Sequence, residues 1–352
     1  MKKTIYFIFA LSLLGLIACN KQDLTAQIPE KTGTVELSIS TAKSSGTKAV
    51  SAYIDAKEYE TRINNIQALI FGADGKINCH KDLGTSTRSS LSTTSGAKTV
   101  YVVINGPDLS TVATLAELET KRIDLSENST EASKGFIMAG KNTCIVSGPT
   151  ECPITVSRLA ARIALESVTN ALPASYGSFE IKHVFLANVP GNQNFAGTGT
   201  TEMWYNKEGR KDESPLIEDH IIDGTTYMAS CPQLTFNEIG ATVENGKTYG
   251  PDTPNLLYAY SNNIETAPNG FNSPFTPQKS VLVTVIEIEG KTYYYPVVLD
   301  KSATERNTTS TIGLTISNLG STDPNEPVSK SSISINVTVD EWQAGATYDE
   351  NI

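Results

Sequence analysis

Thr34-Val35-Glu36-Leu37-Ser38-Ile39-Ser40 places an apolar side chain at every second position. Successive side chains of a strand point to opposite faces, so Val35, Leu37 and Ile39 share one buried face while Glu36, Ser38 and Ser40 take the other. The period returns along the chain. Ile63, Ile66, Leu69, Ile70 and Phe71 resume it, and Gly72-Ala-Asp-Gly75 supplies a turn. Val100-Tyr-Val-Val-Ile104 reads as a buried strand that stops at Asn105-Gly-Pro, where proline blocks further pairing. Strands are expected at Val281–Glu289, Lys291–Leu299 and Thr309–Ser317, with Gly290 in the turn of a hairpin joining the first two. Ser332–Asp340 alternates strictly through Ile333, Ile335, Val337 and Val339. Short apolar runs in a background rich in Gly, Pro, Ser, Thr and Asn predict an all-β protein with a few short helices.

Three stretches depart from simple alternation. Thr114-Leu-Ala-Glu117 has the form of a capping box, which predicts a short helix covering the open edge or end of a sheet. Pro153–Leu165 reads as one long element; Ile154, Val156 and Leu159 suit a bulged strand or a helix, and the β-branched content favours strand. A domain boundary is expected just beyond it, dividing the body into residues 49–166 and 167–352. Phe179, Ile181, His183 and Phe185 fall on one face of a strand over Phe179–Asn188, and residues 202–277 are polar and irregular.

Outward from Thr34 toward the N-terminus lies a polar, patternless tether over residues 20–33. Ahead of it, residues 1–18 combine a cationic start, Met1-Lys2-Lys3, with an apolar run from Ile5 to Ile17, shorter than a membrane span and typical of a signal peptide. The run ends in Leu16-Ile17-Ala18-Cys19, the form of a bacterial lipobox, so Cys19 is expected to become the acylated N-terminus. Several acyl chains on one cysteine satisfy the two-signal requirement for stable anchoring in outer-membrane lipid. Toward the C-terminus, residues 41–56 lose the strand pattern. There Thr47-Lys48-Ala49-Val50 sets a basic residue among small polar ones, where a trypsin-like protease can thread it. Arg62 is the second candidate, but it opens an apolar-patterned stretch.

Charge and motif content limit the function. A net charge of −10 with no basic patch argues against nucleic acid. The histidines are His80, His183 and His220, without HExxH or zinc spacing. Gly240-Ala-Thr-Val-Glu-Asn-Gly-Lys-Thr248 imitates a phosphate loop but has five residues between its glycines where four are needed, and Tyr249-Gly-Pro forbids the following helix. No GxSxG and no catalytic carboxylate pair stands out, so neither an enzyme nor a cofactor is expected. Beyond Cys19 the cysteines are Cys79, Cys144, Cys152 and Cys231, with no CxxC. They read either as buried small hydrophobes or as an export-compartment disulfide, Cys144–Cys152, across Gly148-Pro149.

In order, Leu16–Cys19, the strand–basic–Ala arrangement at 35–49, Val156–Ile163 with Arg158 and Arg162, Lys291–Val298, Glu305-Arg306-Asn307 and Ser332–Trp342 resemble the Bacteroidetes fimbrillins, the major fimbrial subunits of type V pili. The resemblance is densest from 280 to 342 and weakest over 202–277. It implies two transthyretin-like β-sandwich domains and a lipidated outer-membrane precursor. It also implies removal of residues 19–48 as a propeptide by cleavage between Lys48 and Ala49, and an extracellular fimbrium built by strand exchange. The family's usual basic residue at the cut is Arg, so Lys48 leaves the protease's identity open. In that scheme Val35, Leu37 and Ile39 leave with their strand. The vacated place is refilled by β-strand addition from a neighbour, an open head-to-tail contact that grows a filament. The C-terminal region, with Ile333, Ile335, Val337, Val339, Trp342, Tyr348 and Ile352, is the expected donor, because a free end extends without disturbing the core.

The partners implied are other copies of the chain, related minor pilins and an unspecified host or bacterial receptor. A second class stays open: a monomeric surface lipoprotein binding glycan or host protein through exposed aromatics such as Trp204, Tyr205, Tyr258 and Tyr260. A minor tip or anchor pilin also stays open within the family.

Overall fold

The structure, a computed structural model, describes residues 31–41, 57–131, 133–208, 221–222, 231–268, 276–322 and 333–341. The lipobox Cys19, the Lys48–Ala49 bond and Trp342, Tyr348 and Ile352 lie outside the described residues, as does His220.

The N-terminal half is built from β1 (Thr32–Thr41), β2 (Ile66–Gly72), β3 (Ile77–Asp82), β4 (Arg88–Thr94), β5 (Gly96–Ile104), β6 (Met138–Val146) and β7 (Pro149–Arg158). Their order is β3-β2-β5-β6-β7-β1-β4. The β6–β7 ladder is confined to Met138↔Arg158 and Ala139↔Ser157. The strands therefore form two faces, β3-β2-β5-β6 and β7-β1-β4, joined at that corner. At the corner a Cβ on Gly140 would lie 2.2 Å from the Thr155 carbonyl oxygen, so only glycine lets β6 cross β7 this closely. Between the faces Val35, Leu37 and Ile39 pack with Ile66, Ala68, Ile70, Leu91, Val100, Val102, Ile104, Cys152, Ile154 and Val156. β2 and β5 also bury their other face, through Leu69, Phe71, Tyr101 and Val103, which explains the apolar runs Ala68–Phe71 and Val100–Ile104.

The C-terminal half comprises β8 (Ala161–Asn170), β9 (Phe179–Ala187), β10 (Phe236–Val243), β11 (Thr248–Tyr249), β12 (Asn255–Ala259), β13 (Val281–Ile288), β14 (Lys291–Val298), β15 (Thr308–Ile316) and β16 (Ile333–Glu341). One sheet runs β10-β9-β13-β14; the other runs β11-β8-β15-β16, with β12 also pairing β8. The protein is thus all-β, two β-sandwich domains with short helices. Glu289 (φ 49°) and Gly290 (φ 73°) close the β13–β14 hairpin with positive φ at both central positions, the twist-matched turn that glycine makes accessible. The helix Leu115–Thr120 is capped as its sequence predicts: the Thr114 hydroxyl accepts from the Glu117 N–H at 3.1 Å.

Two expectations are corrected. Pro153–Leu165 is not one element: β7 ends at Arg158, Leu159 and Ala160 bend, and β8 begins at Ala161 in the other domain's sheet. The change of sheet falls there, and residue 166 lies inside β8. Nor do Phe179, Ile181, His183 and Phe185 share a face. A bulge between Ile181 and His183 shifts the parity. Phe179 and Ile181 enter the main core, whereas Phe185 joins a separate cluster with Val281, Val283 and Tyr294. His183 packs on Phe236 with ring centroids 5.2 Å apart, and burial lowers its pKa to about 4. It is a packing histidine, neutral at pH 7.

Candidate strand-exchange site

β1 sits between two strands rather than at an edge. It pairs antiparallel with β4, from Thr32↔Thr94 to Ser38↔Arg88, and parallel with β7, from Thr34↔Pro149 to Thr41↔Val156. Its inward row, Val35, Leu37 and Ile39, is buried against both faces of the N-terminal sandwich. Its outward row makes light polar contacts: the Ser90 hydroxyl donates to Glu36 Oε1 at 2.8 Å. Among the described residues the ladder partner of β4 is β1 alone. Taking β1 away would therefore open an apolar trough one strand wide and leave β4 and β7 as facing unpaired edges.

β1 ends at Thr41, and the next described element, the helix Glu58–Thr61, belongs to the body of the fold. Lys48 and Ala49 fall in the connection between them, so a cut there would leave β1 held by non-covalent contacts. Arg62 lies at the end of that helix, where its guanidinium pairs with Glu58.

β16 is placed differently. It pairs antiparallel with β15, from Thr308↔Glu341 to Ile316↔Ile333, at the margin of its sheet. Val337 and Val339 remain 42% and 38% exposed although they lie opposite the buried Ile312 and Ser310. Among the described residues β1 thus has two strand neighbours and a covered apolar row, whereas β16 has one neighbour, with Val337 and Val339 left partly in solvent. Val35-x-Leu37-x-Ile39 and Ile335-x-Val337-x-Val339 carry aliphatic side chains at the same spacing.

Just beyond the cut region, a buried polar network ties the start of the body to both domains. Glu60 is fully buried and paired with Arg162, whose Nη1 donates to Glu60 Oε2 at 2.8 Å. The Tyr258 hydroxyl donates to Glu60 Oε1 at 2.6 Å, and the Lys57 N–H donates to Oε2 at 2.7 Å. Arg158 Nε donates to the Glu60 carbonyl at 2.7 Å, and Arg162 Nε donates to the Thr309 hydroxyl at 3.1 Å. The Arg158 N–H donates to Asn307 Oδ1 at 3.2 Å. Burial draws the Arg158 guanidinium down to about 10, so it stays cationic at neutral pH. In the sequence Arg158 and Arg162 enter only with the fimbrillin resemblance, and Glu60 does not figure in the reading at all; two arginines within the apolar stretch Val156–Ile163 are the signal that could have pointed to a buried carboxylate.

The aromatics proposed for glycan or host-protein binding are not exposed. Trp204, Tyr205, Tyr258 and Tyr260 are all buried. Tyr205 donates to Asp124 Oδ1 at 2.6 Å and Tyr260 to the Asp124 carbonyl at 3.0 Å, so their hydroxyls are satisfied inside the fold. Cys144 and Cys152 both lie on the inner side of the N-terminal sandwich. Gly240–Val243 is strand and Glu244–Lys247 a turn, closed by the Lys247 N–H donating to the Glu244 carbonyl at 3.0 Å. Among the described residues no His, Cys, Asp and Glu cluster could hold a metal, and no helix is long and apolar enough to cross a membrane.

Residues 33–151 match the family of the major fimbrial subunit protein (FimA). The major fimbrium subunit FimA type-2 of Porphyromonas gingivalis is 22% identical over 97% of this chain and 98% of its own length. A solved fimbrilin from Porphyromonas gingivalis W83 superposes with a TM-score of 0.60 at 16% identity, over 89% of this chain and 98% of that one. A candidate cell adhesion protein of Parabacteroides distasonis gives 0.62 at 16% identity, over 90% and 98%. The chain is thus similar to a major fimbrium subunit along nearly its whole length and shares the fold of the solved fimbrilin.

Proposed function

We propose that this fimbrillin-like chain is a structural subunit of a cell-surface fimbria, polymerised head-to-tail when a second copy's strand replaces β1. The observation that carries the reading is the contrast between a central β1 and a marginal β16 with the same apolar spacing. The precursor is lipidated at Cys19 and held at the outer membrane. A trypsin-like protease cuts between Lys48 and Ala49, and residues 19–48 depart with β1. Three buried aliphatic side chains leave an unfilled demand of roughly 5–9 kcal/mol, at about 1.5–3 for each. That is comparable with the 5–15 kcal/mol that typically stabilises a whole domain, so the trough cannot stay open for long. An incoming strand with aliphatics at alternate positions restores both the ladder bonds and the side-chain pockets. The buried network at Glu60 keeps the new N-terminal segment on the body, so that the cut frees β1 and little else.

Trimming also changes the charge. Residues 1–48 hold six Lys and three acidic residues, so 28 basic and 38 acidic become 22 and 35, and the net charge moves from −10 to −13. The trimmed subunit loses its lipid and keeps an acidic, soluble surface, which suits a shaft. The glycan-binder reading has lost its motivating observation, because the aromatics it relied on are buried.

N-terminal sequencing of subunits from sheared fimbriae tests the reading. The expected start is Ala49, and Lys48→Ala is expected to leave uncut, unpolymerised precursor. A polymer whose subunits begin at Cys19 would overturn it. In the precursor, Cys19→Ala is expected to block incorporation of labelled fatty acid; label in the Ala variant would refute lipidation at that residue.

A further inference from the structure

The β6–β7 connection sets two thiols against each other beneath β1. Met138↔Arg158 and Ala139↔Ser157 define the antiparallel register, and Ser147-Gly148 makes the turn. Carried along the hairpin, that register brings Cys144 opposite Cys152. Both side chains belong to the inner face: Cys152 is buried in the apolar cluster that holds Leu37, and Cys144 packs against the same cluster. Asn142 Nδ2 donates to the Pro153 carbonyl at 2.8 Å, so the two strands stay side by side next to both cysteines. In the parallel β1–β7 ladder, Cys152 is the partner of Leu37.

We propose that Cys144 and Cys152 form a disulfide that holds β7 to β6 as one wall of the strand-exchange trough; the bracing role rests on the strand-exchange reading above, the bond itself on geometry and export. The need for a brace comes from the ladder pattern. β7 is paired with β6 only at Arg158 and Ser157, whereas residues 149–156 take their backbone pairing from β1. Once β1 has gone, that stretch is left, among the described residues, with the turn and one side-chain tie, Asn142 Nδ2 donating to the Pro153 carbonyl at 2.8 Å. A covalent link at Cys144–Cys152 falls in the middle of the unsupported stretch and keeps the receiving edge of β7 in register.

The oxidant required is a disulfide-bearing partner, RSSR, of the kind an export compartment supplies. The Cys144 thiolate, the less buried sulfur, attacks one sulfur of RSSR and expels RS⁻, giving a mixed disulfide. The Cys152 thiolate then attacks Cys144 Sγ and expels the second RS⁻. The two thiols give up two electrons and two protons, and RSSR becomes two RSH. Burial pushes the Cys152 thiol up to about 12, so the second step belongs to folding, before β1 closes over it.

Peptide mapping of the exported full-length chain, alkylated without reductant, tests the bond. A linked Cys144–Cys152 peptide lighter by two hydrogens is expected, with Cys79 and Cys231 alkylated. Alkylated Cys144 and Cys152, or a link from either to another cysteine, would overturn it. This readout does not depend on strand exchange. Bracing is tested by hydrogen exchange of residues 149–156 before and after cleavage at Lys48, with mass confirming that β1 has been released. The Cys144→Ala/Cys152→Ala variant, and wild type treated with reductant, are expected to exchange there roughly tenfold faster after release, a difference of about 1.4 kcal/mol. Equal rates in oxidised and reduced chains after release would refute the brace. Failure of β1 to leave the cut chain would refute strand exchange instead.

Discussion

A chain lacking residues 332–352 is expected to accumulate as a trimmed, folded monomer, and one lacking only 343–352 to polymerise weakly. The difference follows from where the apolar anchors lie. The tail beyond Trp342 offers Ala344, Ala346, Tyr348 and Ile352, and burying these contributes about 3–6 kcal/mol at 1.5–3 for each larger side chain. Association itself costs about 4–15 kcal/mol in lost freedom, so those residues alone make a thin contact. β16 adds Ile333, Ile335, Val337 and Val339, and among the described residues its withdrawal from its own domain breaks a ladder on one side only. Val337 and Val339 are already partly in solvent, which lowers the cost of moving them. Size-exclusion chromatography and electron microscopy of the two truncations after trimming decide the matter. Folded monomers from the short truncation alone would make the tail the essential donor and leave β16 as a permanent part of its own sheet.

Glu60→Ala is expected to destabilise the trimmed chain by about 3–5 kcal/mol, the cost of leaving buried charge without its partner. Arg162 loses its carboxylate, and Tyr258 loses its acceptor. Arg158 keeps its bond to the Glu60 carbonyl, because that bond is to the main chain. Glu60→Gln retains the shape and an acceptor oxygen, so a smaller loss is expected, set by the charge alone. The Arg162→Met change on the Glu60→Gln background should cost less than on wild type, since the arginine has by then lost its counter-charge. Chemical denaturation of wild type and the four variants measures this. A loss under about 1 kcal/mol for Glu60→Ala would mean that water reaches the site and screens the arginines as it does at a surface. A large loss accompanied by release of the segment around residue 57 would connect the network to retention of the new N-terminus.

Alternation and turn chemistry are local, and they were readable directly. Val35, Leu37 and Ile39 lie on one buried face because a strand's period is two, whatever its neighbours. The β13–β14 hairpin follows from Glu289-Gly290 between two apolar runs, and the short helix from Thr114 and Glu117. Each signal sits within a few residues of the structure it specifies.

What the tertiary structure alone decided is which elements meet. The period of β1 says which face is buried but nothing about its neighbours. Its place between β4 and β7 depends on partners some fifty and more than a hundred residues away. A bulge at Ile181/His183 reversed the face of every later residue in β9, and it came from pairing with β10 and β13 rather than from any residue in the run. Pro153–Leu165 broke in two because Leu159 and Ala160 pass between domains. Trp204, Tyr205, Tyr258 and Tyr260 came to lie inside because Asp124 and Glu60 receive their hydroxyls or because neighbouring strands cover them. Glu60 carries no signal of its own in the sequence, and its burial follows from Arg162, a hundred residues away along the chain. Side-chain periodicity is a property of the backbone, whereas pairing, burial of charge and exposure are sums over distant contacts, and those exist only once the chain has folded.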